Sequence, residues 1–171
     1  MTSRHQWFAA IQFLQIARET KDICAEYGVP VLINDRIDIA LAIDADGVHV
    51  GQTDMPASMA KRFLPPGKII GVSCNNVDHV KKAVEDGADY VGIGAVWATN
   101  TKKLTSPVLG AEGVRDLLAA LDGTSVKAVA IGAIPYDSLV LYQPDARLQA
   151  ESIMTTYWTP CKGLCQLRAT G

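Results

Sequence analysis

Polar and charged residues gather at a few points of an otherwise apolar sequence. Asn34 and Asp35 close the run Val29–Asn34 (VPVLIN), Gln52 and Asp54 follow Gly47–Gly51 (GVHVG), and Ser73 falls in Ile69–Cys74 (IIGVSC). Thr99, Asn100, Thr101, Lys102 and Lys103 (TNTKK) follow Tyr90–Val96 (YVGIGAV). Two carboxylates with amide, hydroxyl and lysine groups beside them could cradle magnesium and a diphosphate, because this ion takes a few carboxylates plus waters and substrate phosphates. Two hydroxyls, an amide and two cations in TNTKK could hold a phosphate by charge-assisted hydrogen bonds. Plainer readings stay open: Asp35 and Asp54 as helix caps ahead of Ile37–Ala40 and Pro56, and TNTKK as a solvated surface loop. His49 faces away from Val48 and Val50 and reads as a packed or hydrogen-bonded histidine, outside the site.

The elements that must position these groups alternate between β-branched runs and amphipathic runs. That is the pattern of parallel strands joined by crossover helices. The runs just named, with Val126–Ile134 (VKAVAIGAI), are five strand candidates, most of them apolar on both faces as buried parallel strands are. Val77, Val80 and Val84 recur at helical spacing, with Asn76 to cap that helix and Gly87 to end it in a left-handed turn. Four crossovers suit either a doubly wound sheet or part of an eight-stranded barrel. Gly92-Ile93-Gly94 is followed by Trp97 where a dinucleotide fingerprint needs Gly or Ala, which argues for the barrel. In either fold, ligands bind at the carboxyl ends of the strands, where the polar groups above are found.

With 171 residues, 49% hydrophobic and 20% charged, the chain suits one domain, 1–171, with a continuous core. A net charge of -2 without a long basic run argues against nucleic-acid and membrane-surface partners. No run approaches the ~20 apolar residues that span a bilayer, which predicts a cytoplasmic protein with reduced thiols. Trp7–Ala17 reads as a buried helix, and Cys24, Cys74, Cys161 and Cys165 read as structural thiols rather than a zinc site.

Five segments in order resemble thiamine phosphate synthase: NDR at Asn34–Arg36, ADGVHVGQTD at Ala45–Asp54, GVS at Gly71–Ser73, DGADYVGIGAV at Asp86–Val96, and TNTKK at Thr99–Lys103. The match covers roughly 19–134, with 135–171 a divergent tail, and VWATNTKKLTSPVLG looks most like the eukaryotic form, fused in fungi to a hydroxyethylthiazole kinase. The resemblance implies a TIM (β/α)8 barrel, here incomplete, with about strands 3 to 7 recognisable. It implies a transferase joining a pyrimidine methyl diphosphate to a thiazole phosphate, with Mg2+ assisting diphosphate departure before the thiazole nitrogen attacks. By motif, Asp35 and Asp54 would bind the metal, and Asn34, Ser73 and Lys102 the pyrimidine diphosphate, with Ser73 and Lys102 catalytic. Thr99, Asn100 and Thr101 would meet the thiazole phosphate, as would the backbone at Gly132 and Ala133.

The sequence departs from the family pattern at both ends. A Q-x-R-x-K strand that grips the diphosphate should precede the first helix and is missing there. The Gly-Gly-Ile that ends the seventh strand reads Gly132-Ala133-Ile134, and no eighth strand stands out in the tail. Five strands of eight would leave two open edges, so a homo-oligomer or a complementary chain is a candidate partner beside the small-molecule substrates. The competing functions are an inactive fragment that binds phosphate or such a chain, and a related barrel that isomerises a thiazole phosphate.

Overall fold

The computed structural model describes residues 4–98, 106–132, 148–149 and 165–167. In chain order the elements are α1 (Arg4–Glu26), β1 (Val31–Asn34), α2 (Ile37–Ala42), β2 (Gly47–Val50), α3 (Ala57–Phe63), β3 (Ile69–Cys74), α4 (Val77–Glu85), β4 (Tyr90–Ile93), α5 (Gly110–Ala119), β5 (Lys127–Ala130), β6 (Leu148–Gln149) and β7 (Cys165–Leu167). The strands form one sheet in the order β6-β5-β4-β3-β2-β1-β7, and every pairing is parallel. The five predicted strands are its centre. The two edge strands were not predicted: the tail supplies a strand beside β5 and another beside β1. Strands this short carry too little periodicity to read, and pairing with a distant strand decides them.

The pleat sorts the strand residues into two sets. Val31, Ile33, Val48, Val50, Ile70, Val72, Cys74, Val91, Ile93, Ala128 and Ala130 join the core cluster with Ile37, Ile39, Ala60, Val80, Ala83, Val114 and Leu117 from the helices. Fully burying one Val or Ile in such a layer contributes ~1.5–3 kcal/mol. The alternate residues His49, Gly71, Ser73, Tyr90 and Gly92 meet one another on the opposite face.

Asn76 caps α4 as predicted, its Oδ1 accepting the His79 N–H at 2.8 Å, and Gly87 follows that helix at φ +76°. The expectation of a buried N-terminal helix is corrected. Among the described side chains of α1 only the stripe of Phe13 and Ala17 is buried, while Ile11, Ile16 and Ile23 are each more than half exposed, as is Tyr27 just past its end. A helix laid on one strand and one helix buries a single stripe, whatever the composition of its other faces.

The amino ends of the strands are tied by a repeated device. Asp46 Oδ2 accepts the Val31 N–H at 2.7 Å, and Asp89 Oδ2 accepts the Ile70 N–H at 2.7 Å. Each aspartate also gives its own N–H to the carbonyl of that same residue, at 3.0 and 2.8 Å. Ala45-Asp46 and Ala88-Asp89 thus lock the units β1-α2-β2 and β3-α4-β4 in the same way, leaving the carboxyl ends to differ. No described helix is long and apolar enough to cross a membrane.

Candidate active site

Asn34 ends β1 in register with His49 of β2, and Asp35 follows at φ 65°. Left-handed backbone is tolerated best by Gly, Asn and Asp, so the fold restricts this position before chemistry does. The Asp35 N–H donates to His49 O at 2.9 Å and the Arg36 N–H to Asn34 O at 2.7 Å, which fixes the corner. The cap position of α2 is Arg36, one residue past Asp35, and carries no side-chain cap bond. Arg36 instead grips Asp38 with two bonds, Nε to Oδ1 at 2.8 Å and a terminal nitrogen to Oδ2 at 2.6 Å. That pairing raises the guanidinium pKa and lowers that of the Asp38 carboxyl. Asn34 Oδ1 is buried and accepts no hydrogen bond from any described residue. An acceptor left this way costs ~1–3 kcal/mol, which a ligand donor would recover.

After β2, the Gly51 N–H donates to Asp54 Oδ2 at 2.7 Å, closing a turn that holds the carboxylate half-buried. A Cβ on Gly51 would lie 2.9 Å from that same oxygen, so a larger residue here would push the carboxylate from this position. The cap position of α3 is Pro56, so Asp54 is a turn ligand rather than a helix cap. Gln52 Nε2 donates to Ser73 O at 2.7 Å, joining the β2 loop to the end of β3.

Ser73 Oγ lies 2.8 Å from His49 Nε2, and His49 Nδ1 lies 2.8 Å from the Tyr90 hydroxyl. His49 is 5% exposed and Tyr90 7%, with ring centroids 5.4 Å apart and planes tilted by 38°. Two glycines make room for this row. A Cβ on Gly71 would fall 2.2 Å from the Tyr90 ring, and one on Gly92 3.1 Å from His49 Cε1. His49 is thus the hydrogen-bonded histidine predicted, but it also touches a candidate site residue, which sequence reasoning missed. The signal was its position between Val48 and Val50, which put it on the face that Ser73 shares.

Further along the edge, the Gly94 N–H donates to Cys74 O at 3.2 Å and the Val96 N–H to Ile131 O at 3.0 Å. Gly132 stands at φ +105°, and a Cβ there would lie 3.1 Å from that of Ala95, so glycine is required at this strand end. The structure therefore brings Asn34, Asp35, Asp54, Ser73 and Gly132 to one edge of the sheet. Thr99, Asn100, Thr101, Lys102 and Ala133 lie outside the described residues. Among the described residues, no group of three or more His, Cys, Asp or Glu side chains is placed to hold a metal ion.

Residues 2–141 match the TMP-TENI family, described as thiamine monophosphate synthase. The chain belongs to this family. A solved thiamine phosphate pyrophosphorylase from Pyrococcus furiosus superposes with a TM-score of 0.62 at 36% identity, covering 74% of this chain and 58% of that one. The fold is thus the α/β, barrel-type architecture that the sequence implied, in incomplete form. A "Probable thiamine biosynthetic bifunctional enzyme" of Schizosaccharomyces pombe is 51% identical over 106 residues, 62% of this chain and 20% of its own. A "Thiamine-phosphate synthase" of Clostridium novyi is 48% identical over 122 residues, 71% of this chain and 58% of its own. The chain therefore spans less than two thirds of each of these relatives.

β7 pairs with β1, with Gln166 in register with Leu32, and the next residue in sequence is Arg168 after Leu167. Gln166-Leu167-Arg168 has the spacing of the first three positions of the Q-x-R-x-K pattern. Arg168 itself lies outside the described residues.

Proposed function

We propose that this single-domain chain is a thiamine phosphate synthase, joining a pyrimidine methyl diphosphate to a thiazole phosphate and releasing diphosphate. The observation that carries the reading is the stitched edge of strand ends, where Asp35, Asp54 and Ser73 from three neighbouring strands are held by backbone bonds to the adjoining strand or turn. Such preorganisation suits a reaction in which charge builds on a leaving diphosphate and little covalent work falls to the protein.

The donor set fits magnesium: two hard carboxylates, with remaining positions for waters and phosphate oxygens. Asp35 and Asp54 would hold the ion, which when bound neutralises diphosphate charge. Asn34, with its buried acceptor, and Ser73 would bind the pyrimidine substrate, joined by Lys102 from the TNTKK loop. Thr99, Asn100 and Thr101 would meet the thiazole phosphate, with the backbone of Gly132 and Ala133 beside them. Gln166 would take the place of the motif's glutamine. Small-molecule substrates, a cytosolic location and no nucleic-acid or membrane partner complete the proposal.

The test is product formation from both substrates with magnesium, comparing the unaltered chain with Asp35→Asn and Asp54→Asn. Asparagine keeps the left-handed backbone at position 35 and an acceptor for Gly51 at position 54 while removing the charge. Each should lower turnover about 100-fold, the order expected on losing ~2–3 kcal/mol from a charge-assisted contact, with the folded state intact. Equal turnover in all three chains would sink the assignment of these carboxylates, and no product from folded unaltered chain would sink the transferase reading.

A further inference from the structure

The row Tyr90, His49 and Ser73 crosses three adjacent strands on the face away from the helices. The register that puts His49 beside Gly71, and Gly71 beside Tyr90, lets the phenol reach over the glycine to the imidazole. A neutral imidazole has one N–H and one acceptor nitrogen, so the contacts among these three side chains can be made in two ways. In the first, Nδ1–H donates to the phenol and Ser73 spends its proton on Nε2. In the second, the phenol donates to Nδ1, Nε2–H donates to Ser73 Oγ, and the serine proton is left to point elsewhere. A phenol is a far stronger acid than an aliphatic hydroxyl, so the phenolic proton is the one that goes to the basic nitrogen.

We propose that Tyr90 and His49 are positioning residues that aim the Ser73 hydroxyl proton at an anionic ligand oxygen. The inference rests on the reading of Ser73 as a ligand contact. Both positioning residues are buried, and neither needs to touch the ligand. Gly71 and Gly92 serve the same end by leaving room for the two rings. The arrangement turns a side chain that can donate or accept into a committed donor, which suits a phosphate and disfavours a cationic ligand group.

The experiment uses the full chain with 15N-labelled histidine, in which His49→Gln identifies the His49 signals among the 3 histidines. The expected result is the tautomer protonated at Nε2 and bare at Nδ1, with Tyr90→Phe shifting the population toward Nδ1–H. Tyr90→Phe should also weaken binding of inorganic diphosphate with magnesium about tenfold, the size of one lost charge-assisted hydrogen bond. In a Ser73→Ala background the same substitution should cost nothing further, since the two act through one hydroxyl. An Nδ1–H tautomer in the unaltered protein, or an equal cost of Tyr90→Phe with and without Ser73, would overturn the proposal. Failure of the transferase reading would show separately, as absent turnover, while the tautomer and diphosphate binding still decide the proton arrangement.

Discussion

Asp35 and Cys74 show how differently two residues at strand ends are constrained. Asp35 sits at φ 65°, where alanine is strained and asparagine is not, so the backbone alone narrows its replacements. Cys74, 1% exposed on the helix side of β3, is held as the neutral thiol, its pKa pushed up to about 12 by burial. The folded state thus keeps a proton that the unfolded chain releases near the ordinary value of 9.0. Stability from this group is complete below 9.0 and is lost as pH rises from there toward about 12. Urea unfolding between those limits should show a declining alkaline limb that Cys74→Ala removes, while at neutral pH that variant costs only ~1–2 kcal/mol for its small cavity. At neutral pH the thiol should also resist a thiol reagent until the protein unfolds.

At the scale of elements, the informative feature is the pair of aspartates that open β2 and β4. Each accepts a backbone N–H from the preceding strand, so each closes its strand-helix-strand unit at the end remote from the site. Asp46→Ala and Asp89→Ala should each lower stability by about 1–2 kcal/mol, read as a lower urea midpoint with unchanged slope. Neither should alter magnesium-dependent diphosphate binding once the protein is folded, since neither lies at the carboxyl edge. A fall in binding equal to that of Asp54→Asn would refute this division of labour between the two ends. Helix α4 was legible in full because its cap, its apolar spacing and its terminal glycine are local signals. The exposure of α1 was not, because which stripe is buried depends on how many neighbours the fold provides.

For the whole molecule the question is what guards the edges of a seven-stranded open sheet. β6 and β7 pair with β5 and β1, so the tail covers the edges that the five central strands would otherwise present. Unpaired parallel edges rich in Val and Ile invite pairing with another chain. A chain ending at Gly132 lacks both edge strands and should elute as a dimer or larger species in size-exclusion chromatography with light scattering. The full chain at the same concentration should elute smaller. Identical elution of the two would show that the tail does not protect the edges.

The sequence by itself determined the five central strands, their parallel alternation with helices, and the polar residues at their carboxyl ends. Those follow from local chemistry: β-branched runs, caps, glycines and the rule that parallel strands carry their ligands at one end. The family could be read there too, because its motifs are contiguous. Only the tertiary structure decided that His49 bonds Ser73, that Asp54 closes a turn on Gly51, and that Cys165–Leu167 lies beside β1. Each of these depends on strand register or on contact between distant segments. The periodicity of a sequence states which face a residue takes, but it does not say which strand will lie next to it.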